Sequence, residues 1–120
     1  MNLNKFTIKA QQAIQAAFEL AGERQQQAVE PEHILYALLT DQESISLSVL
    51  KKVGLRTDAI TQNLSAYLDG LPKVKGASVS GQYPSNDTKQ LLDTASKIPS
   101  KMGDEYVSSE HLLLGLMEHN

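Results

Sequence analysis

The chain has no cysteine and no tryptophan. Without thiols it can form no disulfide, no iron–sulfur cluster and no cysteine-based zinc site, so its stability must come from a packed core. Aromatic residues are only 5% of the sequence, which leaves that core to aliphatic and alanine side chains. No apolar run approaches the roughly 20 residues of a membrane-spanning helix, and the opening residues 1–5 are not followed by the apolar stretch of a secretion signal. The net charge is −3, with eleven basic residues scattered rather than striped. Nucleic acid and membrane surfaces are therefore not expected partners, and a cytoplasmic location is the default. The phosphate loop G-x-x-x-x-G-K-[ST], the fingerprint G-x-G-x-x-G and the elbow G-x-S-x-G are all missing. The serines fall at helix starts or in a connector, with no base beside a nucleophile. The domain is accordingly expected to be no enzyme by itself, with no catalytic residue and no cofactor.

What the sequence does contain is length for one core and a repeat. Its 120 residues, 41% of them hydrophobic, fit a single globular domain over 1–120. Residues 10–39 align without a gap on residues 88–117, an offset of 78. Gln12, Ala17, Val29, Glu32, His33, Leu35 and Leu38 meet identical residues at Gln90, Ala95, Val107, Glu110, His111, Leu113 and Leu116. The pattern E-H-[IL]-L-x-[AG]-L-[LM] closes both copies. The resulting expectation is repeat one over about 1–70, a connector over about 71–84 rich in glycine, proline and small residues, and repeat two over about 85–120.

Each copy reads as a helical hairpin, and the fold class is all-α. Ala10, Ala13, Ile14, Ala17 and Ala21 recur at helical spacing, with Gly22 as the expected stop. Pro31 suits the first position of a second helix, which turns Ile34, Leu35, Leu38 and Leu39 inward. Ser44 is expected to cap a third helix whose inward face is Ile45, Val49, Leu50 and Val53, ended by Gly54. Thr57 is expected to cap a fourth, with Ile60, Leu64, Tyr67 and Leu68, ended by Gly70. The second copy restarts near Ser85 or Asn86 with Leu91, Leu92, Ala95 and Ile98 on one face. Pro99 predicts a kink or an early end near Ile98, because a proline inside a helix loses a backbone bond at a cost of about 3 kcal/mol. Ser108 caps the last helix, whose apolar run is Leu112, Leu113, Leu114, Leu116 and Met117. The second copy stops at Asn120, short of the first by about two helices, so the expectation is a trimmed piece of a longer chain.

Glu32–His33 and Glu110–His111 are the only repeated polar pair. Two such pairs brought together could hold a divalent metal. Their place at helix starts has a simpler reading, in which the carboxylate favours the helix dipole and the histidine bonds the loop leading in. The simpler reading is preferred, and no metal ligand is assigned. Around Thr94, Ile98, Pro99, Met102 and Tyr106, apolar residues surround a broken helix. They serve equally as ordinary core or as an apolar groove for extended chain segments.

Asn4-Lys5-Phe6-Thr7, Glu30-Pro31-Glu32-His33-Ile34-Leu35 and Val107-Ser108-Ser109-Glu110-His111-Leu112-Leu113 resemble the twin-repeat N-terminal domain of Clp AAA+ ATPases. The resemblance covers nearly the whole chain, and Leu71-Pro72-Lys73-Val74-Lys75-Gly76 is most similar to the ClpB disaggregase branch. It implies an eight-helix domain joined by a linker to two ATPase modules, where ATP and magnesium would bind. The domain would bind unfolded or aggregated polypeptides, within a homohexamer that collaborates with a DnaK-type chaperone. By the same resemblance, Thr7, Asp104 and Glu110 match polar substrate-binding positions and Ile98 an apolar one. Thr94 and His111 stand where some relatives have leucine, which makes the groove less apolar. The alternative is an adaptor-docking domain of a ClpA- or ClpC-type protease-associated unfoldase.

Overall fold

The computed structural model describes residues 3–74, 81–103 and 105–118. Helix α1, Ile8–Glu23, is capped by Thr7, whose Oγ1 accepts from the Ala10 N–H at 3.2 Å. Its inner edge is Ala10, Ile14, Ala17 and Ala21, all nearly inaccessible, and three alanines there allow α2 to lie close. Gly22 does not end the helix. The chain reverses three residues later at Gln25, in the left-handed region at φ 59°, after Arg24 closes α1. A Cβ at Gly22 would meet Oε1 of Gln82, from the connector, at an ordinary contact distance of 3.4 Å.

Helix α2, Pro31–Thr40, begins on its proline, where the missing N–H would have had no helical acceptor. Helix α3, Ile45–Lys52, is capped by Ser44, and Gly54 follows at φ 89°. The inward face of α3 departs from expectation. Ser46 and Leu47 are buried, while Ile45, Val49 and Val53 are 53%, 43% and 66% exposed. The apolar stripe is real, but α2 and α6 meet α3 on its other side. Helix α4, Thr57–Asp69, starts one residue earlier than expected, with Arg56 as cap and Thr57 buried inside the first turn. Leu68 is its fully buried anchor, and Gly70 follows as anticipated.

Helix α5, Asn86–Met102, is capped by Ser85 and runs through Pro99 without ending. A proline this near the C-terminus forfeits only the bond to Ala95, and Gly103, left-handed at φ 78°, holds the last turn by donating to the Pro99 and Ser100 carbonyls. Ile98 and Pro99 are both buried, so packing offsets the lost bond. Helix α6, Ser109–Glu118, closes the described chain. Its apolar run splits, with Leu112 and Leu113 inside and Leu114 and Met117 38% and 65% exposed.

The two copies exchange their leading segments. Strand β1, Ala28–Val29, pairs in parallel with β2, Tyr83–Pro84, inside the expected connector. An isolated parallel bridge joins Phe6 to Val107. Adding 78 turns Val29 into Val107 and Phe6 into Pro84, so these are one interaction made twice across a pseudo-twofold. Thr7 N–H donates to the Val107 carbonyl at 2.8 Å, and Ser85 N–H to the Val29 carbonyl at 3.1 Å. Each helix cap is thus tied to the other repeat. Between the two hairpins lies one core, of Phe6, Ile14, Val29, Ile34, Leu38, Leu91, Leu92, Val107 and Leu112 with the small residues of α1 and α5. Among the described residues, no helix is long and apolar enough to cross a membrane.

Candidate functional site

The repeated Glu–His pair has a structural assignment in both copies. Glu30 N–H donates to His33 Nδ1 at 2.8 Å, and Ser108 N–H donates to His111 Nδ1 at 2.9 Å. Each imidazole thereby completes the start of its helix, as the third residue of a capping box does. His33 is fully buried and His111 5% exposed, so each ring is occupied in its own helix cap.

The loop from α5 to α6 is shaped by three constraints. Gly103 turns the chain left-handed, Val107 is pinned to the Lys5–Thr7 segment, and Ser108 is locked by the His111 ring. Between them opens a cleft of about 360 Å³ lined by Met102, Glu105, Tyr106, Ser108, Glu110, His111 and Leu114. Met102 and Tyr106 are 59% and 56% exposed, so this rim is apolar, accessible and flanked by two carboxylates. A second cleft of about 390 Å³ lies between α1, the α2–α3 turn and Ser109. It has a floor of Ala13, Ala16, Ala37 and Leu38 and offers no aromatic or methionine anchor.

The expected site residues distribute unevenly. Glu110 and His111 line the first cleft. Thr7 is tied to its wall through Val107, but its hydroxyl is engaged in capping α1. Thr94 is half-buried and Ile98 buried on α5, and neither lines the cleft. Asp104 lies outside the described residues. Sequence reasoning left Met102 and Tyr106 undecided between core and groove, and it missed Glu105 and the outward turn of Leu114.

The equivalent position in the first repeat carries different residues. Subtracting 78 places Arg24 at Met102, Glu32 at Glu110 and Tyr36 at Leu114. Arg24 stands 5.6 Å over the Tyr36 ring and binds Asp69 and Ser65 of α4 at 3.0 and 3.3 Å. An aromatic stack and an ion pair therefore bind α4 over α2 there. Met102 and Leu114 can make neither interaction.

A family model described as the Clp repeat (R) N-terminal domain matches residues 5–120. Curated relatives include the chaperone protein ClpB of Bacteroides thetaiotaomicron, 38% identical over 117 residues, covering 98% of this chain and 13% of that protein. ClpB of Porphyromonas gingivalis matches with the same identity and coverage. The chain thus spans about one-eighth of the length of these relatives. Among solved structures, the Hsp104 N-terminal domain from Candida albicans superposes with a TM-score of 0.87 at 27% identity, covering 97% of this chain and 75% of that one. The N-terminal domain of the ClpV1 ATPase from Escherichia coli gives 0.84 at 29% identity, covering 97% and 69%.

Proposed function

The chain belongs to the Clp repeat N-terminal domain family, and on that premise we propose that it engages substrate for a ClpB-like ATP-dependent disaggregase. It binds unfolded polypeptide segments at the cleft between the α5–α6 loop and α6, and the chemistry of ATP hydrolysis belongs to ATPase modules outside this domain. The observation that supports this reading is the accessible rim of Met102, Tyr106 and Leu114 around a cleft with Glu105 and Glu110 at its edge. Methionine adapts its shape to different side chains at little cost, which suits a site that must accept many sequences. The two carboxylates can accept from backbone N–H groups that an unfolded segment leaves unpaired. An exposed rim of this size supports weak, reversible contact, as befits a domain that hands substrate on.

The parent assembly in this reading is a homohexamer working with a DnaK-type chaperone. An NMR titration of the labelled domain with a reduced and alkylated, permanently unfolded protein tests the site. Shifts should gather at residues 105–114 and at Met102, and the folded form of the same protein should leave them unmoved. Shifts confined to the second cleft beside α3, or seen only with a folded adaptor, would instead support a docking role of the ClpA or ClpC type.

A further inference from the structure

Three segments of the first repeat are joined by a buried chain of hydrogen bonds. Glu30 N–H donates to His33 Nδ1 at 2.8 Å, which leaves the ring proton on Nε2. That N–H donates to Gln26 Oε1 at 2.8 Å, and the Gln26 amide donates to the Leu68 carbonyl near the end of α4. His33 is 0% exposed, Gln26 2% and Leu68 0%. Every member needs its neighbour in one orientation, since a buried polar group left unpaired costs far more than its bond contributes.

We infer that His33 is a proton-operated latch, closed when neutral, that holds α4 against the start of α2. An imidazolium has two donors and no acceptor. Protonation sets Nδ1–H against the Glu30 N–H and removes the cap of α2. Nε2–H donates to Gln26 in both states, so the grip on α4 is lost as that repulsion swings the ring, and Gln26 with it, out of place. The charged surroundings decide how readily this happens. Arg24, in the turn after α1, opposes a second positive charge and is itself bound to Asp69 and Ser65 of α4. Glu30 at the cap of α2, Glu32 on α2, Tyr67 and Asp69 on α4, and Asp87 on α5 are further ionisable groups near this joint. Glu30 and Glu32 are half-exposed and Asp87 and Asp69 exposed, so solvent screens the help they could give. Burial first, and Arg24 second, hold His33 down at about 4, so the latch stays shut at neutral pH and opens in acid.

The test is an NMR pH series on the chain, from about pH 7.5 to about pH 3.5, reading the His33 ring and amide hydrogen exchange. The ring should remain the neutral Nε2–H tautomer to about pH 5. In acid, amides at the end of α4 and the Gln26 side-chain amide should lose protection at least about tenfold more than those of α1 and α5. His33→Gln retains an oxygen acceptor for Glu30 N–H without a titrating proton, so its α4 should stay protected through the same range. Gln26→Ala should free the end of α4 already at neutral pH. A His33 that titrates near its ordinary value with α4 unmoved would overturn the latch. So would a His33→Gln variant whose α4 opens along the wild-type curve.

Discussion

Replacing Thr88 by valine probes the joint between the two repeats with little change of shape. Thr88 lies in the first turn of α5 and is fully buried, and its Oγ1 donates to the Val29 carbonyl at 2.6 Å across 59 residues of sequence. Valine fills the same volume and opens no cavity. The Val29 carbonyl keeps the Ser85 N–H at 3.1 Å, so no acceptor is orphaned. Ser85 Oγ loses its 3.1 Å contact with Thr88 Oγ1, but it is half-buried and still accepts from the Thr88 N–H. The expected loss is that of one net hydrogen bond, about 1 kcal/mol. Thr88→Ala should cost about 2 kcal/mol, because a buried methyl disappears as well. Urea denaturation followed by circular dichroism should show both midpoints lowered with an unchanged slope. Thermal melting should fall by about 4 °C for the valine variant. A valine variant as stable as the wild type, or one as damaged as alanine, would refute the assignment of that bond to the inter-repeat joint.

Other substitutions and conditions have equally definite outcomes. A Cβ at Gly115 would lie 3.2 Å from both Ala95 Cβ and Leu91 Cδ1. Gly115→Ala should therefore stay within about 1 kcal/mol of wild type, helix propensity offsetting the squeeze, while Gly115→Val should lose about 3 kcal/mol in the same denaturation assay. Ser46 Oγ is buried and unpartnered among the described residues, so Ser46→Ala should raise stability by about 0.5–1 kcal/mol; a loss of more than that would mean the hydroxyl has a partner. His33 is lowered to about 4 by burial and then by Arg24, so between about pH 6.5 and about pH 4 the unfolded chain binds a proton that the native chain refuses. Stability should be complete above about pH 6.5 and fall by about 2–3 kcal/mol on acidification to about pH 4, a decline that His33→Gln should largely remove.

Much of the fold was legible because its signals are local. Ser44 and Ser85 cap helices through bonds to residues three positions away, and Pro31 at a helix start follows from its own missing N–H. The repeated Glu–His pair was read as a helix-start device, and the two Nδ1 bonds agree. What escaped is decided by distant partners. Periodicity showed that α3 has an apolar side at Ile45, Val49 and Val53, but not that α2 and α6 would meet the other one. Pro99 was weighed as if in mid-helix, whereas it sits one turn from a glycine cap. Gln26 and Thr88 look like surface residues until Leu68 and Val29, 42 and 59 residues away, supply their acceptors. The strands β1 and β2 are two residues each, too short for alternation to register. At the candidate site, Glu110 and His111 were named through the family resemblance alone. Glu105 and Leu114 acquire meaning only from the fold, which brings them to one cleft with Met102 and Tyr106.

The central claim is that the cleft between the α5–α6 loop and α6 grips unfolded chain, and fluorescence anisotropy tests it most directly. A labelled, permanently unfolded protein would be titrated with the wild-type domain and with a Met102→Ser, Leu114→Ser double variant. Met102 is 59% and Leu114 38% exposed, so the variant should lose about 1–2 kcal/mol of stability and remain folded at the assay temperature. Losing two apolar contacts of about 0.7 kcal/mol each should weaken binding about tenfold. A folded variant that binds the unfolded protein as tightly as wild type would contradict the account.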